Sequence, residues 1–346
     1  MHVERWQFDQ FGLEHLRWTE GDIEEPGPDE VQVEVKAASP NYRDVLVIRG
    51  SYNPKLKLPA VPLCDGAGVL RTVGRNVKEF RRGDAVLTNF FTGWTDQPFD
   101  ASMIKTVLGG PGPGLAATFV NLPATGVMAK PAHLTFPEAA ALPVAGLTAW
   151  SALVTEGRLD PDKPNGAAGK TVLAIGTGGV SMYVLQFAKA MGARVIITSS
   201  SDEKLARAKA MGADEGINYR TTPEWDAEVL ELTDRKGADI VVDSGGSDTL
   251  PRCLRACRGG GMIAVLGALT GLDATLNTGL IMMKRLRLQG IVVDSRRAHQ
   301  RMLAFLSAHP EIKPLIDRTF ALQELPAALD YLLQAKHMGK IVLTPE

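Results

Sequence analysis

The sequence has few cysteines and no long apolar runs. Among its 346 residues only Cys64, Cys253 and Cys257 are cysteine, too few for a disulfide framework in a chain of this length. No apolar run approaches the roughly 18 residues that a membrane-spanning helix needs, and the first six residues are too polar for a secretory signal. These absences predict a protein of a reducing compartment, the cytoplasm, without a membrane anchor.

The sequence also lacks an excess of charge of either sign. Its 38 Lys and Arg residues oppose 39 Asp and Glu residues, for a formal net charge of −1. No net field therefore attracts nucleic acid or an anionic membrane surface. With 45% hydrophobic residues the chain is globular throughout, and at about 150 residues per domain its length predicts about two domains.

The hydrophobic pattern of the sequence differs between the two halves of the chain. In the first ~145 residues, alternating strands such as residues 30–36 are separated by turn clusters, which predicts a mostly antiparallel, barrel-like domain. Between Lys170 and Val293, β-branched runs alternate with amphipathic helical patterns, which predicts a doubly wound parallel sheet. These runs are residues 171–175, 194–198, 239–242, 262–266 and 286–293.

Shorter patterns predict local structure. The glycine- and proline-rich residues 109–114 predict an exposed loop. Thr135 and Glu138 form a capping box that opens an alanine-rich helix. Cys253 and Cys257 lie four residues apart on a predicted helix without a histidine nearby, so we interpret them as packing positions rather than a redox pair.

A glycine-rich turn follows the strand at residues 171–175 directly. It comprises Gly176, Thr177, Gly178, Gly179, Val180 and Ser181, and an amphipathic helix follows it. Such glycines allow a sharp turn and a close approach of pyrophosphate, while the helix N-terminus supplies free N–H groups. The alternative is a tight turn without a ligand, but the strands and helices around it favour dinucleotide binding.

The end of the second strand bears on the choice of dinucleotide. An acidic side chain there accepts from a free ribose hydroxyl, whereas this strand ends in Thr198, Ser199, Ser200 and Ser201, with Lys204 nearby. Hydroxyl and ammonium donors suit a 2′-phosphate, so the sequence favours NADPH over NADH. A serine-rich helix cap with a solvated Lys204 is the other interpretation, and both can hold together.

Several motifs in order resemble the medium-chain dehydrogenase/reductase superfamily, within it the zinc-free branch of quinone oxidoreductases and enone reductases. They are Ala38-Ser39-Pro40-Asn41-Tyr42-Arg43-Asp44, Gly50-Ser51-Tyr52, Pro62-Leu63-Cys64-Asp65-Gly66-Ala67-Gly68, Gly83-Asp84-Ala85-Val86, and residues 142–148 and 176–219. The resemblance implies an α/β protein with a GroES-like β-barrel catalytic domain at residues 1–145, a Rossmann domain with a six-stranded parallel sheet at residues 146–293, and a return to the catalytic domain at residues 294–346. It also implies an active site in the cleft between domains and a homodimer formed through the strand at residues 262–266.

The positions that correspond to catalytic zinc ligands in the zinc-dependent relatives are altered. They fall near Asn41, on Cys64 and Asp65, and near Val144, whereas zinc takes three protein ligands of the Cys, His or carboxylate type. The four clustered cysteines of the structural zinc lobe are absent as well. We therefore expect no metal, and interpret Cys64 as a small residue at the end of a strand.

The resemblance implies roles for individual residues. Tyr52 corresponds to a proposed proton donor, or else it only shapes the pocket; Asn41, Asp44 and Tyr42 lie where relatives contact nicotinamide and substrate, with a helix cap as the alternative for Asp44. Besides the glycine turn, Ser199, Ser200 and Lys204, the matched cofactor contacts are Thr148, Tyr219, Ser244, Gly267, Ala268, Leu269, Ile291, Val292, Val293 and Lys340.

Without a Lewis acid, oxidation of an unactivated alcohol is disfavoured, and activated acceptors remain. A quinone or an α,β-unsaturated carbonyl accepts hydride at carbon while charge moves to oxygen, where a hydrogen-bond donor suffices. The expected function is thus NADPH-dependent reduction of a small quinone or α,β-unsaturated carbonyl compound without a metal. An alcohol dehydrogenase-like carbonyl reductase and a non-catalytic NADPH-binding protein remain as alternatives.

Overall fold

The computed structural model describes residues 1–267 and 269–345. The chain forms two compact units, one comprising Met1–Val144 and the segment from Asp294 onward, the other comprising Ala145–Val293. Within the described residues, no helix combines the length and the apolar character required to cross a membrane.

The strands and helices are numbered along the chain. The strands are β1 (His2–Gln7), β2 (Arg17–Asp22), β3 (Glu30–Ser39), β4 (Asp65–Val73), β5 (Ala85–Thr88), β6 (Phe119–Pro123), β7 (Val127–Ala129), β8 (Thr171–Ala174), β9 (Arg194–Ser199), β10 (Glu215–Asn218), β11 (Ala238–Asp243), β12 (Cys257–Val265), β13 (Arg287–Gly290), β14 (Ile316–Ala321) and β15 (Lys340–Thr344). The α-helices are α1 (Tyr42–Ile48), α2 (Phe136–Ala140), α3 (Pro143–Trp150), α4 (Gly179–Ala190), α5 (Asp202–Ala210), α6 (Trp225–Leu232), α7 (Leu250–Ala256), α8 (Thr278–Lys284), α9 (Arg296–Ala308) and α10 (Leu325–Leu333). A π-helical turn, Ser151–Thr155, follows α3, and short 3-10 helices span Leu13–His15, Ala101–Thr106, Ala124–Gly126 and Leu322–Glu324.

The second unit is built on a six-stranded sheet in the order β10-β9-β8-β11-β12-β13, in which every neighbouring pair is parallel. The strand order reverses beside β8, as in a doubly wound Rossmann sheet. The central strands are apolar on both faces, as Val172, Leu173, Ile196 and Val241 show, which is the pattern of a sheet covered on both sides. The predicted Rossmann fold is confirmed.

Two local predictions in this sheet are wrong. Cys253 and Cys257 do not share a helix, because α7 ends at Ala256 and Cys257 begins β12 in an extended conformation. Three glycines, residues 259–261, follow at once and cannot sustain a helix. In addition, β12 lies between β11 and β13, so the strand at residues 262–266 is not free to pair with a second chain; the free edges belong to β10 and β13.

The first unit contains a seven-stranded sheet in the order β14-β15-β3-β4-β5-β7, with β6 also paired to β3. Its pairs are antiparallel except for β14 with β15, in accord with the mainly antiparallel domain that the sequence predicts. Gly68 of β4 permits a close approach of β3, because a Cβ atom there would lie 2.0 Å from the carbonyl oxygen of Glu34. This sheet positions α1 and the polar residues at its ends.

Residues 109–114 form a loop, as predicted, but the loop is not uniformly exposed. Gly109, Gly110 and Gly114 are buried. A Cβ atom added at Gly109 would lie 2.3 Å from the carbonyl oxygen of Leu63. One added at Gly114 would lie 2.0 Å from the carbonyl oxygen of Val61. The glycines therefore let this loop pack its backbone directly on residues 61–64, which brings it next to the candidate site.

His299 of α9 is a fully buried, uncharged histidine of the first unit. Its Nδ1 lies 3.1 Å from Asn89 Oδ1, which can only accept, so Nδ1 carries the proton. Its Nε2 has no hydrogen-bond partner among the described residues. Burial, together with the nearby Arg296 guanidinium, lowers the pKa of His299 to about 3, and the folded protein holds the ring neutral at any ordinary pH.

This burial predicts a loss of stability in mild acid. The unfolded chain takes up a proton near pH ~6.5, whereas folded His299 does so only near pH 3. The free energy of unfolding should therefore fall as the pH decreases from 6.5, by at most about 1.4 kcal/mol per pH unit from this residue. Urea unfolding of the wild type and of His299→Gln, compared at about pH 7.5 and about pH 5, should give a smaller decrease for the variant. Equal decreases would contradict the assignment.

Candidate functional site

In the second unit, most residues matched to cofactor contacts lie at one edge of the parallel sheet. Each follows or ends a strand at its carboxyl end, where open α/β sheets bind ligands. The group comprises Gly176 and Thr177 after β8, Ser199 and Ser200 at the end of β9, Tyr219 after β10, Ser244 after β11, Gly267 and Leu269 after β12, and Ile291, Val292 and Val293 after β13. Thr148 lies in α3 and is buried, and Ala268 lies outside the described residues.

The glycine turn is fixed by short hydrogen bonds on its strand side. The Gly176 N–H donates to Thr198 Oγ1 (3.0 Å), and the hydroxyls of Ser181 and Ser244 both donate to the Ile175 carbonyl at 2.8 and 2.7 Å. Gly176 has φ +80°, a left-handed conformation that favours glycine. Ser181, the departure from the glycine pattern, thus stabilises the turn through its hydroxyl group.

Gly178 is the N-cap of α4, and no side chain caps this helix end. Its φ of −78° and ψ of −174° suit any residue, and a Cβ atom there would meet nothing within 4 Å. Neither strain nor packing therefore requires glycine at this position. A ligand that approaches the backbone closely would explain it, and uncapped N–H groups at the start of a 12-residue helix suit a phosphate.

The end of β9 presents hydroxyl groups. Ser199 is buried, with its hydroxyl 3.3 Å from that of Thr177, and Ser201 caps α5 by accepting from the Lys204 N–H at 3.3 Å. Asp202, the first carboxylate after this strand in the sequence, accepts from the Asn218 amide at 2.7 Å. The helix cap that the sequence offered as an alternative is present, and no carboxylate stands at the last position of the strand.

Two residues near the candidate positions hold left-handed backbones without being glycine. Leu63, directly before Cys64, has φ +72°, and Val293 has φ +52°. Such conformations cost about 1–3 kcal/mol and concentrate at functional sites. Both residues are buried, so the surrounding structure imposes the strain.

In the first unit, a buried polar cluster joins α1 to the start of β4 and the start of β15. Lys340 Nζ donates to Asn41 Oδ1 (2.6 Å) and to the Pro40 carbonyl (3.2 Å), and lies 3.6 Å from Asp65 Oδ2. Asn41 Nδ2 donates to the same Asp65 oxygen at 2.9 Å, while the Val144 N–H donates to Asp65 Oδ1 at 3.1 Å. Burial raises the pKa of Asp65 to about 6 against the effects of Lys340 and Asn41, so the ion pair is formed at neutral pH.

The donor set of this cluster does not fit zinc. Val144 contributes a backbone N–H rather than a ligand atom, and Asp65 is already paired with Lys340. Burial, with Asp44 and Asp65 nearby, raises the pKa of the Cys64 thiol well above its usual range, which disfavours the thiolate that a metal needs. Within the described part of the chain, no group of three or more His, Cys, Asp or Glu side chains is placed to hold a metal ion.

Asp44 and Arg43 connect the cluster to Tyr52. Asp44 Oδ2 accepts from the Asn41 N–H at 2.8 Å, so its carboxylate caps α1. Arg43 Nη1 donates to Asp44 Oδ1 (3.0 Å) and to the carbonyls of Leu108 (3.1 Å) and Gly109 (3.0 Å). The Arg43 guanidinium carbon lies 4.8 Å from the ring centroid of Tyr52. Tyr52 itself is 36% exposed, and Tyr42 begins α1.

Two residues of these sites have roles that the sequence does not predict. Arg43 gains its place only because the loop at residues 107–114 folds back onto it, which no local pattern reveals. Asp243, at the end of β11, orders the segment after it: Oδ1 accepts from the N–H groups of Gly245 (3.0 Å) and Gly246 (3.4 Å) and from the Thr249 hydroxyl (2.6 Å). An acidic residue between a buried strand and two glycines was the available signal.

A unit with a mainly antiparallel sheet and a unit with a doubly wound sheet and an open glycine turn define a two-domain, dinucleotide-binding oxidoreductase. Family models agree: residues 27–132 match the alcohol dehydrogenase GroES-like domain, and residues 179–308 match the zinc-binding dehydrogenase family. A zinc-type alcohol dehydrogenase-like protein of Schizosaccharomyces pombe is 38% identical over 339 residues, with 96% of each chain covered. The chain belongs to the medium-chain dehydrogenase/reductase superfamily of oxidoreductases, as its motifs implied.

Solved structures extend this similarity to named activities. The crystal structure of an NAD-dependent alcohol dehydrogenase has a TM-score of 0.89 and 34% identity, covering 99% of this chain and 100% of that one. Escherichia coli quinone oxidoreductase, solved with NADPH, has a TM-score of 0.83 and 26% identity, with the same coverage. Similar proteins thus include both alcohol dehydrogenases and quinone oxidoreductases, and both nicotinamide cofactors.

The open space at Gly178 generates a prediction. Serine is a good N-cap, so Gly178→Ser should leave stability unchanged or slightly raised, while its side chain fills the space that a pyrophosphate would occupy. We expect the dissociation constant for NADPH to rise about tenfold or more, equivalent to about 1.4 kcal/mol, as measured by fluorescence titration.

The matched control for this prediction is Gly259→Ser. A Cβ atom at Gly259 meets only the Lys284 carbonyl oxygen at 3.8 Å, and this glycine lies near the other edge of the sheet. Its affinity for NADPH should equal that of the wild type. Equal affinity for all three proteins would show that Gly178 does not border the dinucleotide.

Proposed function

We propose that the protein is a metal-free reductase that uses NADPH to reduce a quinone or an α,β-unsaturated carbonyl compound. The observation that carries the proposal is the polar cluster of Asn41, Asp65 and Lys340, in which an ammonium ion is paired with the carboxylate at a position that matches a zinc ligand. Such a site supplies no Lewis acid, so the acceptor must itself spread the charge of the added hydride.

The second unit supports the cofactor part of the proposal. A bound nicotinamide dinucleotide supplies the hydride. The uncapped start of α4 offers backbone N–H groups for its pyrophosphate, and Gly178 leaves room for a close approach. Ser199, Ser200 and Lys204 favour a 2′-phosphate, because hydroxyl and ammonium groups donate to it and no carboxylate ends β9.

Tyr52 is the proposed proton donor. Its side chain is exposed enough to reach an acceptor, and the Arg43 guanidinium below its ring fixes its position. Asn41 and Asp44 are engaged with Lys340, Asp65 and the first turn of α1, which favours positioning roles for both. The proton that Tyr52 donates would complete reduction of an enone, or of one quinone oxygen.

An alcohol dehydrogenase-like carbonyl reductase is the second candidate, favoured by the names of similar proteins. Such an enzyme would reduce a simple ketone, which lacks the conjugation that spreads charge in a quinone or an enone. A non-catalytic NADPH-binding protein is distinguished by cofactor binding without turnover. We also infer a cytoplasmic homodimer, with the free edge of β13, rather than β12, available for pairing between copies.

The test is NADPH oxidation against a panel of 1,4-benzoquinone, 9,10-phenanthrenequinone, linear enals, cyclohexenone and unconjugated ketones. We expect turnover with quinones or enones and none with simple ketones. The Tyr52→Phe substitution should lower kcat for the enone about tenfold or more, while the KM for NADPH stays constant. A general acid accelerates a reaction at least ~100-fold, and in the variant a water molecule would recover part of that acceleration by donating the proton.

The outcomes separate the candidates. Turnover of ketones that rises with added zinc would favour the alcohol dehydrogenase type, and cofactor binding without any turnover would favour a non-catalytic role. An unchanged kcat for Tyr52→Phe would limit Tyr52 to shaping the pocket. Metal content, measured on the same preparation, checks the metal-free part of the proposal independently.

Cofactor choice yields a separate prediction. In Ser199→Asp, a carboxylate at the end of β9 would repel a 2′-phosphate and accept from a 2′-hydroxyl. We expect the ratio of kcat/KM for NADPH to that for NADH to fall about tenfold or more, a change of at least about 1.4 kcal/mol. Glu203→Gln, a substitution on the exposed face of α5, is the control and should leave the ratio unchanged. A ratio unaffected by Ser199→Asp would remove Ser199 from the phosphate site.

A further inference from the structure

We propose that the second unit carries a second anion site, at the amino edge of its parallel sheet, that binds a small oligophosphate or phosphate ester. The site is a recess of about 360 Å³ beside the starts of β8, β11, β12 and β13. Such a volume lies at the lower end of the roughly 300–1,000 Å³ range of small-molecule pockets. Four cationic side chains and one carboxylate line it: Arg158, Lys170, Arg258, Arg287 and Asp239.

The single carboxylate is saturated by two of these cations. Asp239 Oδ1 accepts from Arg258 Nε at 2.7 Å and from Lys170 Nζ at 3.2 Å, while its Oδ2 accepts from the Thr171 N–H at 3.0 Å. These donors outweigh burial and lower the pKa of Asp239. The aspartate therefore holds two cations together in the lining of the recess without neutralising both.

The other two arginines have no carboxylate partner within the described residues. Arg287 uses only Nη2, which donates to the Glu156 carbonyl and lies 2.8 Å from Met262 Sδ. Its Nε and Nη1 make no hydrogen bond within the described chain. Arg158 is exposed, and its side chain makes no hydrogen bond or ion pair there either. The recess thus combines an excess of positive charge with guanidinium donors that the protein itself leaves unused.

A neighbouring recess shows that this imbalance is not general along the edge. It has a volume of about 400 Å³ and is also bordered by Lys170. Its other cations, however, have acidic partners: Lys189 lies 2.9 Å from Asp214, and Arg194 lies 2.6 Å from Glu215. Charge is balanced there, whereas the first recess has two guanidinium groups with no carboxylate partner among the described residues.

The chemistry favours phosphate as the occupant. Guanidinium groups present forked donors that match phosphate oxygens, and three of the four cations here are arginines. The recess is also separate from the proposed dinucleotide site. Lys170 and Gly176 lie at opposite ends of β8, and at ~3.3 Å per residue they are about 20 Å apart. One sheet therefore offers a phosphate site at each of its edges.

The test is isothermal titration calorimetry of the full chain with sodium pyrophosphate at low ionic strength. We expect Arg158→Asn to weaken binding roughly tenfold or more, the effect of losing a charge-assisted hydrogen bond. Asparagine tolerates the left-handed backbone of Arg158 (φ +59°). The matched control is Arg235→Asn, because Arg235 is also exposed and left-handed (φ +64°) but is paired with Glu231 outside the recess.

Arg287→Gln, checked for folding by circular dichroism, provides a second variant and should weaken binding to a similar extent. The proposal is overturned if the wild type does not bind pyrophosphate, if both arginine variants keep wild-type affinity, or if Arg235→Asn weakens binding equally. Citrate, a polycarboxylate of comparable charge, should bind less tightly than pyrophosphate. Equal affinities would overturn the assignment to phosphate.

Discussion

The ion pair between Lys340 and Asp65, with Asn41 between them, is the interaction on which the candidate site of the first unit depends. Lys340 lies 299 positions beyond Asn41 in the sequence, so one ammonium group ties the last strand to the first helix. Removing one partner of a buried pair leaves a charge without compensation and costs about 3–5 kcal/mol. The amide of Asn41 bonds to both charged groups and fixes their geometry, and the first turn of α1 then places Arg43 below Tyr52.

A parallel sheet imposes a corresponding constraint on the second unit. All strands of that sheet run in one direction, so every carboxyl end lies at one edge and every amino end at the other. Helix α4 begins at the first edge, and within the described part of the chain Gly178 gives it no side-chain cap. At the other edge, α7 ends, and Lys284 Nζ donates to the carbonyls of Leu254 (3.2 Å), Arg255 (2.7 Å) and Cys257 (2.7 Å). Cations are expected near such helix ends. Lys284 already serves these carbonyls, so Arg158 and Arg287 are additional positive charges at this edge.

The sequence predicts features whose causes are local and misses those that depend on distant contacts. The glycine turn, the helix α4 and the capping box of Thr135 with Glu138 each arise within a few residues, and all are present. The helical spacing between Cys253 and Cys257 predicts that both lie on one helix, although the glycines that follow favour an earlier helix end. The burial of Gly109 depends on contact with Leu63, 46 positions away, and the position of Arg43 depends on contact with Leu108, 65 positions away, which no periodicity encodes. The edge position of β13 likewise follows from strand order rather than from composition.

The buried charges of the first unit also limit the kinds of hydride acceptor that suit the proposed reaction. Cys64 lies beside Asp44 and Asp65, at 3.7 and 3.9 Å from their oxygens, and both carboxylates oppose formation of a thiolate. The site therefore provides neither a sulfur nucleophile nor a metal ligand at that position. Asp65 and Lys340 neutralise each other, so their field on a nearby oxyanion is small. Under the proposed function, the proton donor is the hydroxyl group of Tyr52, whose ring lies over the Arg43 guanidinium. A hydroxyl donor can assist an acceptor that delocalises charge but cannot replace a Lewis acid for one that does not, and this difference separates quinones and enones from simple ketones.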